Sequence, residues 1–416
     1  MATEDARYRE TSQYQLWSFS PTQLAAMREK TNTAARARIS ERLLSYPAPP
    51  TAPSSNNVSA PTSNANTPDP DGNGTPRQPT LPDFLTPAEE NLIVNFYTSE
   101  LLRAADVFGF PEHIKSTGAV FFRRFYVTNS IMTYPPQEIM IVALFFGVKA
   151  EGGFAQVGDF VKTFNKKSEE EILAGEFLLF QGLRFSLEVK HPFRALRGAV
   201  MELSALGDVD ARRVEGAERR AREILQFSPL MTDAYFHYTP SQIMMAALSL
   251  ADRGLAERLM QKTFHFVAPA SGADTPMSGG EGKREQAGED KAAIIGSLIR
   301  DKVLGAIEAC RDILSKELPE RREHWTNKSF IKSQVGPVRK KLNKCRDPER
   351  WNLVELQRTR REQASKKNGS DDEDDGADKG KFEDDGAVFG EPLSARDIKR
   401  RKVKTEGLQD PFGGAL

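Results

Sequence analysis

Residues 135–149 read PPQEIMIVALFFGVK, and the architecture of the chain follows from this stretch. The two prolines interrupt the preceding structure and restart the chain, because proline is tolerated at the first turn of a helix and restricts the residue before it. The residues that follow are apolar on nearly every side of a helix, so that helix must be surrounded by others. The sequence therefore predicts a helix over 137–149 at the centre of a helical bundle. Its apolar part, 139–148, is far shorter than the ~20 residues that span a bilayer.

Start signals place further helices on both sides of this central one. Thr86 and Glu89 form a capping box around a first-turn proline, which predicts a helix that runs to about residue 108. A second capping box, Ser168 with Glu171, predicts the start of the last helix in this half. The remaining predicted helices of this half cover 114–127, 154–164 and 168–183.

The second half of the chain repeats this helix order. Its predicted helices cover 191–206, 211–227, 239–251, 254–264 and 290–314. Thr239 and Gln242 again form a capping box with a first-turn proline, at the third helix as in the first half. Ser20 and Pro21 begin an N-terminal amphipathic helix that runs toward Tyr46. Because runs of alternating strand-forming residues are missing, the predicted fold class is all-α, with two consecutive five-helix bundles.

Composition divides the chain into segments. Residues 47–83 are rich in Pro, Ser, Asn and Gly and offer little to bury, so a disordered linker is predicted there, and the tail is predicted to be disordered for the same reason. The predicted order is an N-terminal segment with a helix (1–46), the linker (47–83), a first bundle (84–190), a second bundle (191–315) with a loop at 269–290, a C-terminal helical region (316–365) and an acidic then basic tail (366–416).

Charge and reactive residues exclude several classes of function. The 58 Lys and Arg balance 58 Asp and Glu, which argues against a globally basic nucleic-acid-binding protein. Only two cysteines, Cys310 and Cys345, are present, so we expect a reducing compartment and no disulfide framework. The five histidines have no zinc-ligand spacing, and the glycine-rich residues 279–283 lack the pattern of a phosphate loop. We therefore predict neither an enzyme nor a cofactor.

Four segments resemble the cyclin family, and within it the cyclin H group. The most specific is TDAYFHYTPSQI at 232–243, and FFRRFYVTNSIMTYPPQEIM at 121–140 is similar to the passage between the second and third helices of a cyclin box. SQYQLWSFSPTQL at 12–24 resembles the additional N-terminal helix of this group, and VRKKLNKC at 338–345 resembles its C-terminal region. Two consecutive five-helix bundles are the fold of that family.

The resemblance implies a regulatory subunit that binds and activates a cyclin-dependent kinase. In the cyclin H group the expected partners are the catalytic subunit of the CDK-activating kinase, a RING-finger assembly factor and the core of transcription factor IIH. That assembly phosphorylates kinase activation loops and the C-terminal repeats of RNA polymerase II. The resemblance also implies a nuclear protein that binds no membrane and makes no direct contact with nucleic acid.

The resemblance assigns the kinase-binding role to four residues. Lys149 and Glu176 match the lysine and glutamate of the family, and Phe146 and Phe180 occupy its flanking apolar positions. A partner that fixes the kinase αC helix switches catalysis on, because the αC glutamate must pair with the lysine that holds ATP. From the residues alone, Lys149 would be an ordinary helix-terminal lysine, Glu176 an exposed helical residue, and the two phenylalanines part of the core.

Two features of the chain stand apart from this pattern. Arg123 precedes Arg124 where many cyclins have an aspartate before the arginine, so we do not expect the family's polar network between helices.

A basic cluster near the C-terminus is interpreted as a nuclear localisation signal, with a solubilising tail as the alternative. The cluster comprises Lys399, Arg400, Arg401, Lys402 and Lys404.

Two other functions remain open at this point. One is a cyclin C-like subunit of the Mediator kinase module, against which 12–24 and 232–243 weigh. The other is a DNA-binding initiation factor with two cyclin folds, like transcription factor IIB, which would need a basic body and a zinc ribbon. The N-terminal helix is predicted to lie near the kinase interface, so deletion of 1–46 is expected to weaken activation or the stability of the complex.

Overall fold

A computed structural model describes residues 4–45, 81–263 and 300–368 of the chain. These residues form helices joined by short loops, and no strand occurs among them. The predicted all-α class is therefore confirmed. None of the described helices is long and apolar enough to cross a membrane. Both cysteines are buried free thiols.

Three helices precede the first bundle: α1 (Glu4–Glu10), α2 (Ser12–Trp17) and α3 (Pro21–Ser45). The predicted start of α3 is confirmed by reciprocal bonds, in which the Ser20 N–H donates to Gln23 Oε1 at 2.9 Å and the Gln23 N–H donates to Ser20 Oγ at 3.2 Å. These two bonds satisfy backbone donors that a helix start leaves unpaired.

The first bundle follows the predicted order of helices with one correction. Its helices are α4 (Pro87–Val107), α5 (Glu112–Thr128), α6 (Pro136–Ala150), α7 (Val157–Thr163), α8 (Glu170–Leu173) and α9 (Glu176–Gly182). The capping box of α4 is confirmed, since the Thr86 N–H donates to Glu89 Oε2 at 2.8 Å and the Glu89 N–H to Thr86 Oγ1 at 3.2 Å.

The central position predicted for α6 is confirmed. Ten of its residues are buried, and α5 crosses it in close contact. The backbones meet at two glycines, because a Cβ added to Gly147 would lie only 2.9 Å from the Gly118 nitrogen. No other residue type permits so close an approach.

The single helix predicted over 168–183 is wrong, because α8 and α9 are separate. Ser168 makes no capping hydrogen bond, and the Glu171 carboxylate instead accepts from the Lys167 N–H at 3.0 Å. The break falls at Gly175, where a Cβ would lie 2.7 Å from Val142 Cγ2 of α6. Close packing against the central helix therefore interrupts a helix that local signals would have continued.

The second bundle contains two short helices that the sequence did not predict, α12 and α13. Its helices are α10 (Phe193–Ser204), α11 (Ala211–Leu225), α12 (Ser228–Met231), α13 (Ala234–His237), α14 (Pro240–Ala251), α15 (Arg253–Thr263) and α16 (300–315). The capping box of α14 is confirmed by bonds of 3.0 and 3.3 Å between Thr239 and Gln242. The beginning of the helix predicted over 290–314 lies outside the described residues.

The C-terminal region continues with short elements and ends in two longer helices. They are a 3₁₀ turn (Pro319–Arg321), α17 (Arg322–Thr326), α18 (Lys328–Phe330), a π-helical turn (Ile331–Val335), α19 (Gly336–Lys344) and α20 (Leu353–Asn368). The proposed nuclear localisation signal and most of the predicted linker lie outside the described residues.

Helix α3 connects the N-terminal segment to both bundles and to the C-terminal region. Arg28 donates two bonds to Asp233, of 2.6 and 2.8 Å, at the start of α13. Asn32 donates to the Leu85 carbonyl at 2.8 Å and to Glu90 Oε1 at 2.9 Å. Near its end, Arg42 donates to both oxygens of Asp347 at 2.8 Å.

A polar network between helices does form, around Arg123 and Asp233. Buried Arg123 donates to Asn95 Oδ1 at 2.6 Å and to Asp233 Oδ1 at 2.8 Å. Asp233 thereby joins α3, α5 and α13, and its two arginine partners hold the pKa of its carboxyl well below the usual value in spite of burial. Arg124, the other member of the arginine pair, stacks over the ring of Trp17 at 5.3 Å.

Candidate functional site

The four predicted site residues lie together on one face of the first bundle. Lys149 is in the last turn of α6, and its Nζ donates to Glu176 Oε1 at 2.6 Å. Glu176 is the first residue of α9. Phe146 lies one turn before Lys149, and its ring centroid is 5.8 Å from that of Phe180 on α9.

Local packing explains why these two charges meet. The Gly175 backbone lies against Val142, which brings the start of α9 to the side of α6. The Lys149 ammonium also lies 4.5 Å from the centroid of the Phe145 ring, in cation–π geometry. A lysine at the end of α6 is further favoured by the helix dipole.

The two phenylalanines of the site are neither fully buried nor fully exposed. Phe146 is half-buried and packs against the core, with its ring centroid 6.0 Å from that of Phe121. Phe180 is also half-buried, and its ring meets Phe185 edge-on at 4.7 Å. Both rings therefore contribute to the packing of the bundle while one side remains available at the surface.

Comparison with known proteins identifies the family. The model of the cyclin C-terminal domain matches residues 191–315, the stretch that contains the helices of the second bundle. A chain in the structure of the CAK complex from Chaetomium thermophilum, bound to ATP-gamma-S, is 61% identical to this one and superimposes with a TM-score of 0.72. The match includes 90% of this chain and 100% of that chain. The chain belongs to the cyclin family.

Two comparisons with yeast proteins extend this finding. The cyclin is 30% identical to cyclin CCL1 of Saccharomyces cerevisiae over 264 residues, which are 63% of this chain and 62% of that protein. The match thus spans a little under two thirds of the length of CCL1. A chain of the yeast TFIIK (Kin28/Ccl1/Tfb3) complex is 24% identical and superimposes with a TM-score of 0.51, so it has the same fold. That match includes 74% of this chain and 100% of the yeast chain.

The cyclin exposes three further phenylalanines that are close to the predicted residues along the chain. Phe177 follows Glu176 and is 59% exposed, Phe185 lies just after α9 and is 52% exposed, and Phe154 in the loop after α6 is 86% exposed. None of the three is among the residues predicted for the site. Phe177 could have been found from its position on the helix. Leu178 and Leu179 face the core, so Phe177, which precedes them, lies on the outer side of α9.

An unusual backbone turn presents Phe185. Arg184 and Phe185 have φ angles of +54° and +57°, in the left-handed region that residues other than glycine rarely adopt. This conformation costs about 1–3 kcal/mol per residue and is concentrated at functional sites. It places the Phe185 ring against Phe180 while more than half of Phe185 remains exposed.

The face formed by Lys149, Glu176, Phe146, Phe180 and Phe185 has the composition of a protein interface. Half-buried and exposed aromatic rings lie on the same two helical segments as an ion pair, and aromatic residues are enriched at the centres of such interfaces. Within the described ranges, no cluster of three or more His, Cys, Asp or Glu side chains could hold a metal ion. The ion pair and the rings offer hydrogen bonds and apolar contacts to another chain.

Proposed function

We propose that this cyclin binds and activates the catalytic subunit of a CDK-activating kinase, as the cyclin of the kinase module of transcription factor IIH. The supporting observation is the 61% identity over 90% of the chain to a protein in the CAK complex of Chaetomium thermophilum. Cyclin CCL1, its yeast relative, shares its name with a component of the Kin28/Ccl1/Tfb3 complex. A RING-finger assembly factor and the transcription factor IIH core are the further proposed partners.

The proposed mechanism is the positioning of a mobile helix in the kinase. When the kinase binds, Lys149 donates to backbone carbonyls at one end of the kinase αC helix or its neighbouring loop, and Glu176 accepts from backbone N–H groups. Phe146, Phe180 and the exposed aromatic rings cover the apolar side of that helix. Held in this position, the αC glutamate pairs with the lysine that orients the ATP phosphates.

In this function the cyclin contributes no catalytic group of its own. Phosphoryl transfer takes place in the kinase, and its substrates are kinase activation loops and the C-terminal repeats of RNA polymerase II. Such substrates imply a nuclear location, which the basic cluster at 399–404 would serve. A Mediator cyclin or a DNA-binding initiation factor is less favoured, because the relatives reported above are cyclins of CAK and TFIIK type.

Reconstitution with candidate kinases tests the proposal. The cyclin is co-expressed with the catalytic subunit of the CDK-activating kinase, with the Mediator kinase, or with a cell-cycle kinase, and each complex is purified and assayed on a polymerase-repeat peptide. We expect stable binding and strong stimulation only with the first, and no phosphate transfer when the ATP-binding lysine of that kinase is replaced. Stimulation of the Mediator kinase alone would support the cyclin C-like alternative and contradict the proposal.

A further inference from the structure

A line of hydrogen bonds connects the second bundle to the end of α6. The Tyr235 hydroxyl lies 2.8 Å from His191 Nδ1, and His191 Nε2 lies 2.8 Å from Thr117 Oγ1. The Thr117 hydroxyl in turn donates to Glu151 Oε1 at 2.6 Å. Thr117 is fully buried on α5, Tyr235 is buried on α13, and Glu151 follows directly after α6. We call these four residues the relay.

With a neutral His191, one arrangement of protons satisfies every bond of the relay. The Glu151 carboxylate can only accept, so the single hydroxyl proton of Thr117 is committed to it. The Thr117 oxygen must then accept from His191, which requires a proton on Nε2. His191 Nδ1 is left as an acceptor for the Tyr235 hydroxyl. Every donor therefore points from the second bundle toward Glu151.

This arrangement requires a neutral His191, and its surroundings keep it neutral. Although part of the residue is accessible, both ring nitrogens have protein partners. Burial, with the nearby Arg124 charge as the next contribution, lowers the pKa of His191 to about 3. His191 consequently stays neutral across the physiological pH range.

The relay ends where α6 presents Lys149. The Glu151 N–H bonds to the Gly147 carbonyl at 3.2 Å and also reaches the Lys149 carbonyl. Gly147 packs against Gly118, the neighbour of Thr117 on α5. The last turn of α6 is thus fixed against α5 by two contacts, the crossing of two backbones at Gly118 and the Thr117–Glu151 bond.

We propose that Thr117, His191 and Tyr235 are positioning residues for the kinase-binding face, and that through them the second bundle sets the place of the last turn of α6 and so of Lys149. This inference rests on the proposed function for its effect on the kinase. Its structural part, the fixing of the α6 end, concerns the free chain and is tested separately. A buried series of hydrogen bonds adds less stability than apolar packing does. Its bonds form only when the side chains have the right relative positions, so it fixes those positions.

The test compares substitutions that remove or keep the Thr117 hydroxyl. Thr117→Val keeps the shape of the side chain but loses both bonds, whereas Thr117→Ser keeps the hydroxyl. Tyr235→Phe is a milder variant that removes only the first bond of the relay. Thr98→Val is the matched control, because the Thr98 hydroxyl is equally buried but donates only to the Val94 carbonyl of its own helix, at 2.8 Å.

Two readouts are measured for each variant: hydrogen exchange of the amides of 149–153 in the free cyclin, and the Kd and kcat of the kinase complex on a polymerase-repeat peptide. For Thr117→Val we expect faster exchange at 149–153, an affinity for the kinase weaker by about tenfold, as for one lost hydrogen bond, and a lower kcat at saturating cyclin. Thr117→Ser should restore all three values, and Tyr235→Phe should fall between. Thr98→Val should change thermal stability alone.

The results separate this inference from the proposed function. Wild-type exchange at 149–153 in Thr117→Val would overturn the inference, as would an equal loss of affinity in Thr98→Val or a failure of Thr117→Ser to restore binding. If the wild-type cyclin itself neither binds nor activates the kinase, the proposed function fails. The exchange data on the free cyclin then still decide whether the relay fixes the end of α6.

Discussion

The Lys149 ammonium lies 2.6 Å from the Glu176 carboxylate, across the gap between the end of α6 and the start of α9. The two side chains are 48% and 22% exposed. An ion pair in this setting contributes at most about 1 kcal/mol to stability. Its larger consequence is that both charges are held in place before a partner arrives, so less conformational entropy is lost on binding.

Exchanging the two charges should abolish activation without unfolding the cyclin. The double variant Lys149→Glu with Glu176→Lys can still form an ion pair, but it presents each charge where the kinase requires the opposite one. We expect a melting temperature close to wild type and no stimulation of peptide phosphorylation. Lys149→Ala with Glu176→Ala should give the same two results. Full stimulation by either double variant would show that the kinase does not recognise these residues.

Removing the exposed rings that follow these two residues in the chain should weaken kinase binding. Phe177 and Phe154 are mostly exposed in the free chain, so Phe177→Ala and Phe154→Ala remove little buried surface there. An aromatic residue at the centre of an interface contributes about 2 kcal/mol or more, which corresponds to an affinity loss of at least about thirtyfold. Titration calorimetry with the kinase measures this loss. Met201→Ala, on α10 and 69% exposed, is the control and should bind as wild type.

Helix α3 should be essential for stability through its contact with Asp347. The Asp347 side chain is fully buried and accepts from Arg42 with both oxygens, while Arg38 lies 3.8 Å away. Arg42→Met leaves this buried carboxylate without its main partner, and such losses cost about 3–5 kcal/mol. Urea unfolding measures the change. Glu29→Ala, an exposed position on the same helix, should be nearly neutral, and an equally small effect of Arg42→Met would contradict this role of α3.

Deletion of residues 1–46 should unfold much of the cyclin as well as weaken activation. The deletion removes one partner each of Asp233, Glu90 and Asp347, together with the buried Trp17 and Ile39 side chains. We expect a markedly lower melting temperature in circular dichroism even without the kinase. A truncated cyclin that melts like the full chain but no longer activates would instead limit the role of this segment to the kinase interface.

The Glu90 side chain should make stability depend on pH near neutrality. Burial raises the pKa of Glu90 to about 7, although hydrogen bonds from Ser130 and Asn32 act in the opposite direction. Between about pH 4.5 and pH 7 the folded chain therefore holds a proton that the unfolded chain has lost, so this group's contribution to stability falls as pH rises through that range.

Replacing the carboxyl by an amide removes this dependence. Glu90→Gln should gain stability relative to wild type from pH 5 to pH 8, as measured by urea unfolding at each pH. Comparing variant with wild type at the same pH cancels the titration of other groups, including His191, whose lowered pKa acts in the opposite direction. A difference between the two proteins that is constant from pH 5 to pH 8 would contradict the raised pKa.

Local signals were sufficient to place most helices. The capping boxes at Thr86 and Thr239 and the prolines before α6 act within a few residues, so they are legible without knowledge of the fold. The apolar character of α6 likewise indicated its central position, because such a helix must be covered on all sides. Family resemblance then pointed to Lys149 and Glu176, which no local signal distinguishes.

Long-range packing determined the remaining features. The break before α9 depends on Val142 meeting Gly175, and the meeting of Lys149 with Glu176 depends on how α9 lies against α6. The line from Tyr235 through His191 to Glu151 joins two bundles that local patterns describe independently. Helix starts are fixed by bonds between near neighbours in the chain, whereas these contacts join residues far apart along it, so they exist only once the helices have packed.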